Sequence, residues 1–212
     1  MRRGRFITFE GGEGAGKSTQ IALLATWLRR REIDPLLTRE PGGAPGAEEI
    51  RRLLVTGGSE RWDGVSEALL HYAARREHLL RTIEPALASG RWVLCDRFAD
   101  STMAYQGYGH GLGRRWLTRL HGLVVGDFAP DLTLVLDLPV EQGLARAGAR
   151  AGNETRYEQM ELGFHRRLRQ GFRDIARREP KRCRLIDAAG DVPSVAEAVL
   201  KAVAQRFRLP KA

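Results

Sequence analysis

Residues 5–20 read RFITFEGGEGAGKSTQ. Phe6 to Phe9 is a short apolar, β-rich run. It ends at Gly11-Gly12-Glu13-Gly14-Ala15-Gly16-Lys17-Ser18, which matches G-x-x-x-x-G-K-[ST]. A helical pattern follows at once. Glycines let the backbone curl so that successive N–H groups point at phosphate oxygens. The helix starting near Lys17 adds its positive end. Lys17 is suited to bridge the β- and γ-phosphates, and the Ser18 hydroxyl to ligate Mg²⁺. The segment therefore predicts a P-loop (residues 11–18) between a strand and a helix. Gly11, Gly12, Glu13, Gly14, Ala15, Gly16, Lys17, Ser18 and Thr19 are its candidate ATP contacts.

Outward from this stretch, short apolar runs alternate with longer helical patterns. The runs are Arg5–Glu10, Pro35–Arg39, Arg91–Asp96, Leu132–Leu138 and Arg184–Asp187. Several are continuously apolar, as in strands buried on both faces of a parallel sheet. Helical patterns cover Lys17–Arg31, Ala47–Val55, Val65–Ser89, Arg114–Val125, Glu158–Arg178 and Ser194–Phe207. Ser194 with Glu197 has capping-box spacing and places the start of the last helix. Glu40–Gly46, Gln106–Gly113 and Ala147–Asn153 read as loops. The alternation predicts an α/β fold with a parallel sheet.

The chain has 212 residues, 42% hydrophobic and 29% charged, which fits one ordinary domain and excludes a disordered or collagenous class. Two cysteines cannot build a disulfide framework, so a cytoplasmic setting is expected. No apolar stretch approaches the roughly 18 residues of a membrane span, and no signal peptide is expected. The formal charge is +9. Its obvious partner is a polyanion, whether nucleic acid, membrane surface or nucleotide phosphates, and an Arg-heavy composition is the competing source of the charge. Its position narrows this, because residues 146–184 hold twelve basic and five acidic side chains. No aromatic–basic platform for nucleic acid is present, so none is expected as a partner.

Asp96-Arg97 closes the third strand, at the sheet edge where ligands bind in open α/β folds. An Asp there can hold Mg²⁺ through water, and Arg97 can fork onto a phosphate. Arg51, beyond Arg39-Glu40-Pro41-Gly42-Gly43, is a candidate second clamp. His71, Arg75 and His78 share one helix face by spacing. Arg146, Arg150 and Arg156 lie between the fourth strand and the next helix, where closing arginines could stabilise phosphoryl transfer.

Taken in order, FEGGEGAGKSTQ (9–20), TREPGG (38–43), ALLHYAARREHL (68–79), RWVLCDRFADSTMAYQGYG (91–109), GDFAPDLTLVLDL (126–138), TRYEQ (155–159) and LIDA (185–188) resemble bacterial-type thymidylate kinases across nearly the whole chain. The resemblance implies a P-loop NTPase fold: a five-stranded parallel sheet flanked by helices, with a mobile lid at about 143–158, in a single domain spanning 1–212. It implies transfer of phosphate from Mg-ATP to dTMP, and a homodimer.

By the same resemblance, Arg97 meets the dTMP phosphate and Asp96 the metal environment, with Ser18. Glu13 helps position the deoxynucleotide, and Arg75 reads the thymine edge. Glu40 and Pro41 shape a turn beside the substrate, and Ser101, Tyr105 and Gln106 contact it. Arg156 matches the family best among the lid arginines. Arg146, Asp187 and Ala188 border adenine. Catalysis would then rest on Lys17, Arg97, Glu13, Arg156 and Arg150. Two positions depart from the pattern. His71 stands where a Phe usually stacks on the base, and could charge below neutrality. The other is the usual Gly-rich continuation, altered here to Gly107-Tyr108-Gly109-His110. Gly14 fits the bacterial type: some family members carry an Arg there, while bacterial-type members lack it and draw cationic help from the lid. The competing readings are another P-loop deoxynucleotide or nucleoside kinase, and a nucleic-acid-dependent P-loop ATPase.

Overall fold

The computed structural model describes residues 3–149 and 156–210. Among them, β1 (Phe6–Glu10), β2 (Leu36–Arg39), β3 (Val93–Asp96), β4 (Leu132–Asp137) and β5 (Cys183–Asp187) form one sheet in the order β2-β3-β1-β4-β5. All neighbouring pairs are parallel. The helices are α1 (Lys17–Arg29), α2 (Pro45–Val55), α3 (Gly64–His78), α4 (Glu84–Ala88), α5 (Ala99–Thr102), α6 (Arg114–Val124), α7 (Val140–Gly148), α8 (Leu162–Arg178) and α9 (Val192–Phe207). No helix among the described residues is long and apolar enough to cross a membrane.

Both faces of the central strands β1, β3 and β4 are covered, which is why these read as largely apolar runs, while the edge strands β2 and β5 stay partly exposed. Ile7, Phe9, Leu94, Leu134 and Leu136 pack against α1 and α9. Phe6, Val93 and Cys95 point the other way, onto Tyr72 of α3 and Leu117 of α6. Val135 packs on α8 through Phe172 and Ile175. Cys95 is a core residue, as its strand position implies. In the register, Phe9 pairs with Asp96 and Arg39 pairs with Asp96 from the other side. The carboxyl ends of three strands therefore open onto one edge.

The structure corrects four local expectations. The stretch Gln106–Gly113 is not all loop, because a wide i→i+5 helical turn runs over Met103–Gly109. Its glycines serve packing: a Cβ on Gly109 would sit 2.4 Å from the Phe164 ring of α8. The long helix expected over Val65–Ser89 contains another wide turn at Leu79–Ile83, just ahead of Pro85. Proline has no N–H to continue the ladder, so the helix adjusts before it. The last helix starts at Val192, not Ser194. Asp191 caps it by accepting from Ser194 N at 2.9 Å, and Pro193 occupies the first turn. Finally, α7 occupies residues that the sequence pattern did not mark as helical, including the first part of the expected lid.

α7 sits directly on the phosphate loop. Gly14 has φ +66°, and a Cβ there would lie 2.0 Å from Gly143 O. Gly143 is also tight, its Cβ position being 2.5 Å from Glu13 O. Backbone meets backbone at this contact, so no side chain at Gly14 fits while α7 stays in place. Gly143→Ala should therefore push α7 off the loop. We expect a loss of about 1–3 kcal/mol in unfolding free energy and a raised KM for ATP. An unchanged denaturant midpoint would contradict the contact.

Candidate active site

β1 delivers the chain into the loop, and Gly11, Gly14 and Gly16 all take positive φ there. The Lys17 ammonium folds back over the loop, 3.1 Å from Gly12 O and 3.4 Å from Gly11 O. Burial lowers its pKa, and the nearby Arg97 adds to this. At the loop's rim, Ser18 Oγ donates to Asp96 Oδ2 at 2.9 Å. This joins the two residues expected to face a metal. Thr19 follows, exposed on the first turn of α1.

On the far side of the loop, Arg146 of α7 donates to Ala188 O at 3.3 Å. Asp187 Oδ1 accepts from Ala189 N at 2.9 Å. Arg146, Asp187 and Ala188 are thus drawn together where β5 ends beside α7.

Glu40, Pro41, Arg51, His71, Arg75, Arg97, Ser101, Tyr105 and Gln106 all line one pocket, with Glu13 at its border to the loop. Sequence positions 66 residues apart converge here because α3 and the segment after β3 both cross the ends of the strands.

Arg97 has φ +72°, which few non-glycine residues adopt. This turn sends its guanidinium back toward the loop. One nitrogen donates to Gly11 O at 2.9 Å and to Ser101 Oγ at 3.2 Å. Another donates to Glu13 Oε1 at 3.0 Å. The Tyr105 hydroxyl donates to the same oxygen at 2.5 Å, and its ring lies 5.0 Å from the Arg97 guanidinium carbon. Burial by itself would raise the Glu13 pKa. Arg97, Lys17 and Tyr105 outweigh it and hold the carboxylate at about 2.

Arg75 is buried. Its Nε donates to Glu40 at 2.8 Å, and one terminal nitrogen reaches Phe98 O and Thr102 Oγ1. The other, Nη1, is buried with no partner among the described residues. Buried polar atoms rarely stay unpaired, so a polar ligand edge suits this position. Glu40 spends both oxygens on Arg75 and His78. It therefore sets Arg75 rather than offering a free acceptor to a ligand. Arg51 donates to Pro41 O at 2.6 Å. Gln106 Nε2 donates to Glu67 at 2.6 Å, and its Oε1 is buried and unpaired.

The expectation for Arg156 is corrected. Its guanidinium is fully buried and spent on the wall behind the pocket. It pairs with Glu67 and donates to Leu54 O, Gly58 O and Ser59 O. In this conformation it cannot face a phosphate. Arg150 lies outside the described residues. His71 also differs from expectation. Its Nε2 shares a 2.9 Å hydrogen bond with Tyr157 OH, and burial, with help from Arg75, pushes its pKa down to about 4.

Three residues of the site escaped the sequence reading. Glu10 is wholly buried at the end of β1, and burial together with Asp100 raises its pKa to about 8. Its one signal was an acid closing an apolar run. Glu67 lies one helical turn before His71, on the same face of α3. Tyr157 stands next to Arg156 and lines the pocket.

A family model described as thymidylate kinase matches residues 9–199. A thymidylate kinase from Caulobacter vibrioides is 55% identical over 209 residues, covering 99% of this chain and all of that one. One from Magnetococcus marinus is also 55% identical, over 97% of this chain and 98% of that protein. The crystal structure of a thymidylate kinase from Ehrlichia chaffeensis superposes with TM-score 0.76 at 36% identity, covering 95% of this chain and 99% of that one.

His71 yields a direct test. With its pKa near 4, the ring stays neutral across the working pH range. The unfolded chain takes up this proton around pH 6.5 and the folded chain does not, so His71 costs stability as pH falls from 6.5 toward 4. NMR titration of the imidazole should give a midpoint near 4, and Tyr157→Phe should move it. A midpoint near 6.5 would refute the half-buried, Tyr157-bonded ring.

Proposed function

The chain belongs to the thymidylate kinase family and phosphorylates dTMP to dTDP with ATP, and we propose that it does so by direct in-line transfer at the seam between the phosphate loop and the Arg97 pocket. The observation that carries this reading is the placement of Arg97. One guanidinium touches the loop at Gly11 O and the pocket at Glu13 and Ser101. A cation there sits between a donor phosphate over the loop and an acceptor phosphate in the pocket.

The acceptor needs no general base. Its second phosphate pKa, near 6, leaves it mostly dianionic at pH 7. The protein's tasks are positioning and charge neutralisation. In the proposed assignment, Lys17 and the loop amides from Gly11 to Thr19 hold the donor phosphates. Arg146, Asp187 and Ala188 border its base. Arg97 and Arg51 clamp the acceptor phosphate. Arg75, set by Glu40, offers its unpaired nitrogen to a carbonyl of the base. Ser101, Tyr105 and Gln106 line the sugar and base. Glu13 holds Arg97 and Tyr105 in register. Arg150 remains the candidate lid cation, while Arg156 anchors the lid's stem.

Ser18 and Asp96 suit Mg²⁺. They present a hydroxyl and a carboxylate already in contact, both hard oxygen donors. No cluster of three or more acidic, His or Cys side chains among the described residues offers a full cage. Mg²⁺ commonly takes only one or two protein ligands and completes its shell with water and phosphates. When bound, it would neutralise charge on the donor phosphates.

Lys17→Ala and Arg97→Ala should each lower turnover about a hundredfold or more with the fold intact by circular dichroism. Near-normal dTDP formation by either purified variant would sink the assignment. Coupled ADP release across dTMP, dUMP, dCMP and thymidine should show dTMP as the preferred acceptor. DNA-stimulated ATP hydrolysis would favour the nucleic-acid reading instead.

We infer a homodimer that uses α3 and α6. Tyr72 and His121 join these helices at 3.3 Å. Leu69 on α3 is 50% exposed and Leu123 on α6 is 85% exposed, with Val65 and Trp116 also open. A second copy of the same face would bury these side chains. The buried, unpaired Cys95 and Cys183 suit the reducing cytoplasm. Light scattering should give twice the chain mass, reduced by Leu69→Glu with Leu123→Glu. A monomeric wild type would overturn the interface.

A further inference from the structure

Glu10 is the last residue of β1 and is 0% exposed, yet it does not line the Arg97 pocket. Its two oxygens both reach the segment after β3. Phe98 N–H donates to Oε1 at 2.7 Å. Ser101 Oγ shares a 2.5 Å hydrogen bond with Oε2. Ser101 Oγ in turn accepts from Arg97 at 3.2 Å. The carboxyl group thus grips the residue after Arg97 and a side chain that Arg97 touches.

This grip bears on an unusual backbone. Arg97 is held at φ +72°, a conformation that costs an ordinary residue about 1 kcal/mol or more. The turn leaves Phe98 N–H inside the protein with no strand or helix partner for it. Such an amide is costly unless a partner is supplied. Glu10 supplies it. A backbone bond from Arg97 N to Phe9 O at 2.9 Å fixes the other side of the turn. Consecutive residues of β1, Phe9 and Glu10, therefore clasp the Arg97 turn, and the next residue of the chain opens the phosphate loop.

We propose that Glu10 is the positioning residue for Arg97, fixing the acceptor clamp relative to the donor loop. The inference rests on the reading of Arg97 as the acceptor-phosphate clamp. Glu10 itself does not line the pocket. Its effect travels through the Arg97 backbone turn and through Ser101.

The test is a set of calorimetric titrations with dTMP on the full chain. Glu10→Met keeps the length of the side chain and removes both hydrogen-bonding oxygens. It should weaken dTMP binding about tenfold and leave ATP affinity unchanged. Glu10→Gln keeps a carbonyl for Phe98 N–H and a polar group for Ser101, and should bind dTMP within about threefold of wild type. The cycle with Arg97→Ala decides the route, because coupled residues are non-additive. Glu10→Met should add far less to the loss already caused by Arg97→Ala than it costs alone, only what Ser101 contributes directly. If Glu10→Met does not fold, Glu10→Asp, whose shorter reach cannot serve both partners, takes its place in the cycle with the same expectation.

Wild-type dTMP affinity in the folded Glu10 variant, or equal losses with and without Arg97, would overturn the inference. So would a lowered melting temperature with unchanged affinity, the mark of a purely structural group. If Arg97→Ala alone binds dTMP normally, the clamp reading fails first, and the proposal for Glu10 falls with it.

Discussion

A guanidinium held between Gly11 O, Ser101 and Glu13 sets the terms for the rest of the site. Burying a cation costs several kcal/mol unless it is paired and hydrogen-bonded. Arg97 meets that condition only if β1 and β3 end side by side, and the parallel register Phe9 with Asp96 brings this about. It also needs Glu13 inside the loop, where an acid is otherwise unfavourable beside phosphates. The Tyr105 hydroxyl then fixes the Glu13 carboxylate from the pocket side. Loop, strand edge and the helical segment after β3 are thus mutually required.

The sheet was legible because its central strands are buried on both faces, which makes them largely apolar runs. The phosphate loop was legible because its chemistry demands glycines at fixed spacing. Packing glycines were not. Gly107 and Gly109 read as loop residues, while the fold uses them to let a helical turn approach Leu117 and Phe164. Gly171 does the same under Tyr108, 2.8 Å from where its Cβ would be. Arg156 shows the limit more sharply. Its motif places it in a basic segment near the pocket, but its direction is decided by Glu67, which lies 89 residues earlier in the chain. No local pattern carries that pairing.

Charge follows the same division. The basic excess of residues 146–184 falls largely on α8, yet much of it is matched there. Arg166 pairs with Glu141, Arg167 with Glu161, and Arg169 with Asp137. Arg182 holds Asp100 with two nitrogens, at 2.6 and 2.8 Å. The exposed pairs of Arg166 and Arg167 add little stability, but all four remove free charge from the surface. A continuous basic track for a polyanion is therefore not what α8 presents. This weighs against the nucleic-acid reading independently of the family match.

Around the seam, Lys17, Arg75, Arg97 and Arg156 face Glu10, Glu13, Glu40 and Glu67. With Glu10 raised to about 8 and protonated at neutral pH, this set stands near a single net positive charge. That balance lets the pocket keep its cations without strong mutual repulsion. It also means that two nucleotides bring far more negative charge than these residues offset. The difference must arrive with the substrates or with the lid. On the proposed reading, a Mg²⁺ ion carried by ATP, together with Arg146 and Arg150, is the source. On the same reading, an acceptor phosphate reaching Arg97 competes with Glu13 for the same nitrogens. The guanidinium then changes partner without changing place, and charge neutralisation at transfer demands little reorganisation of the protein.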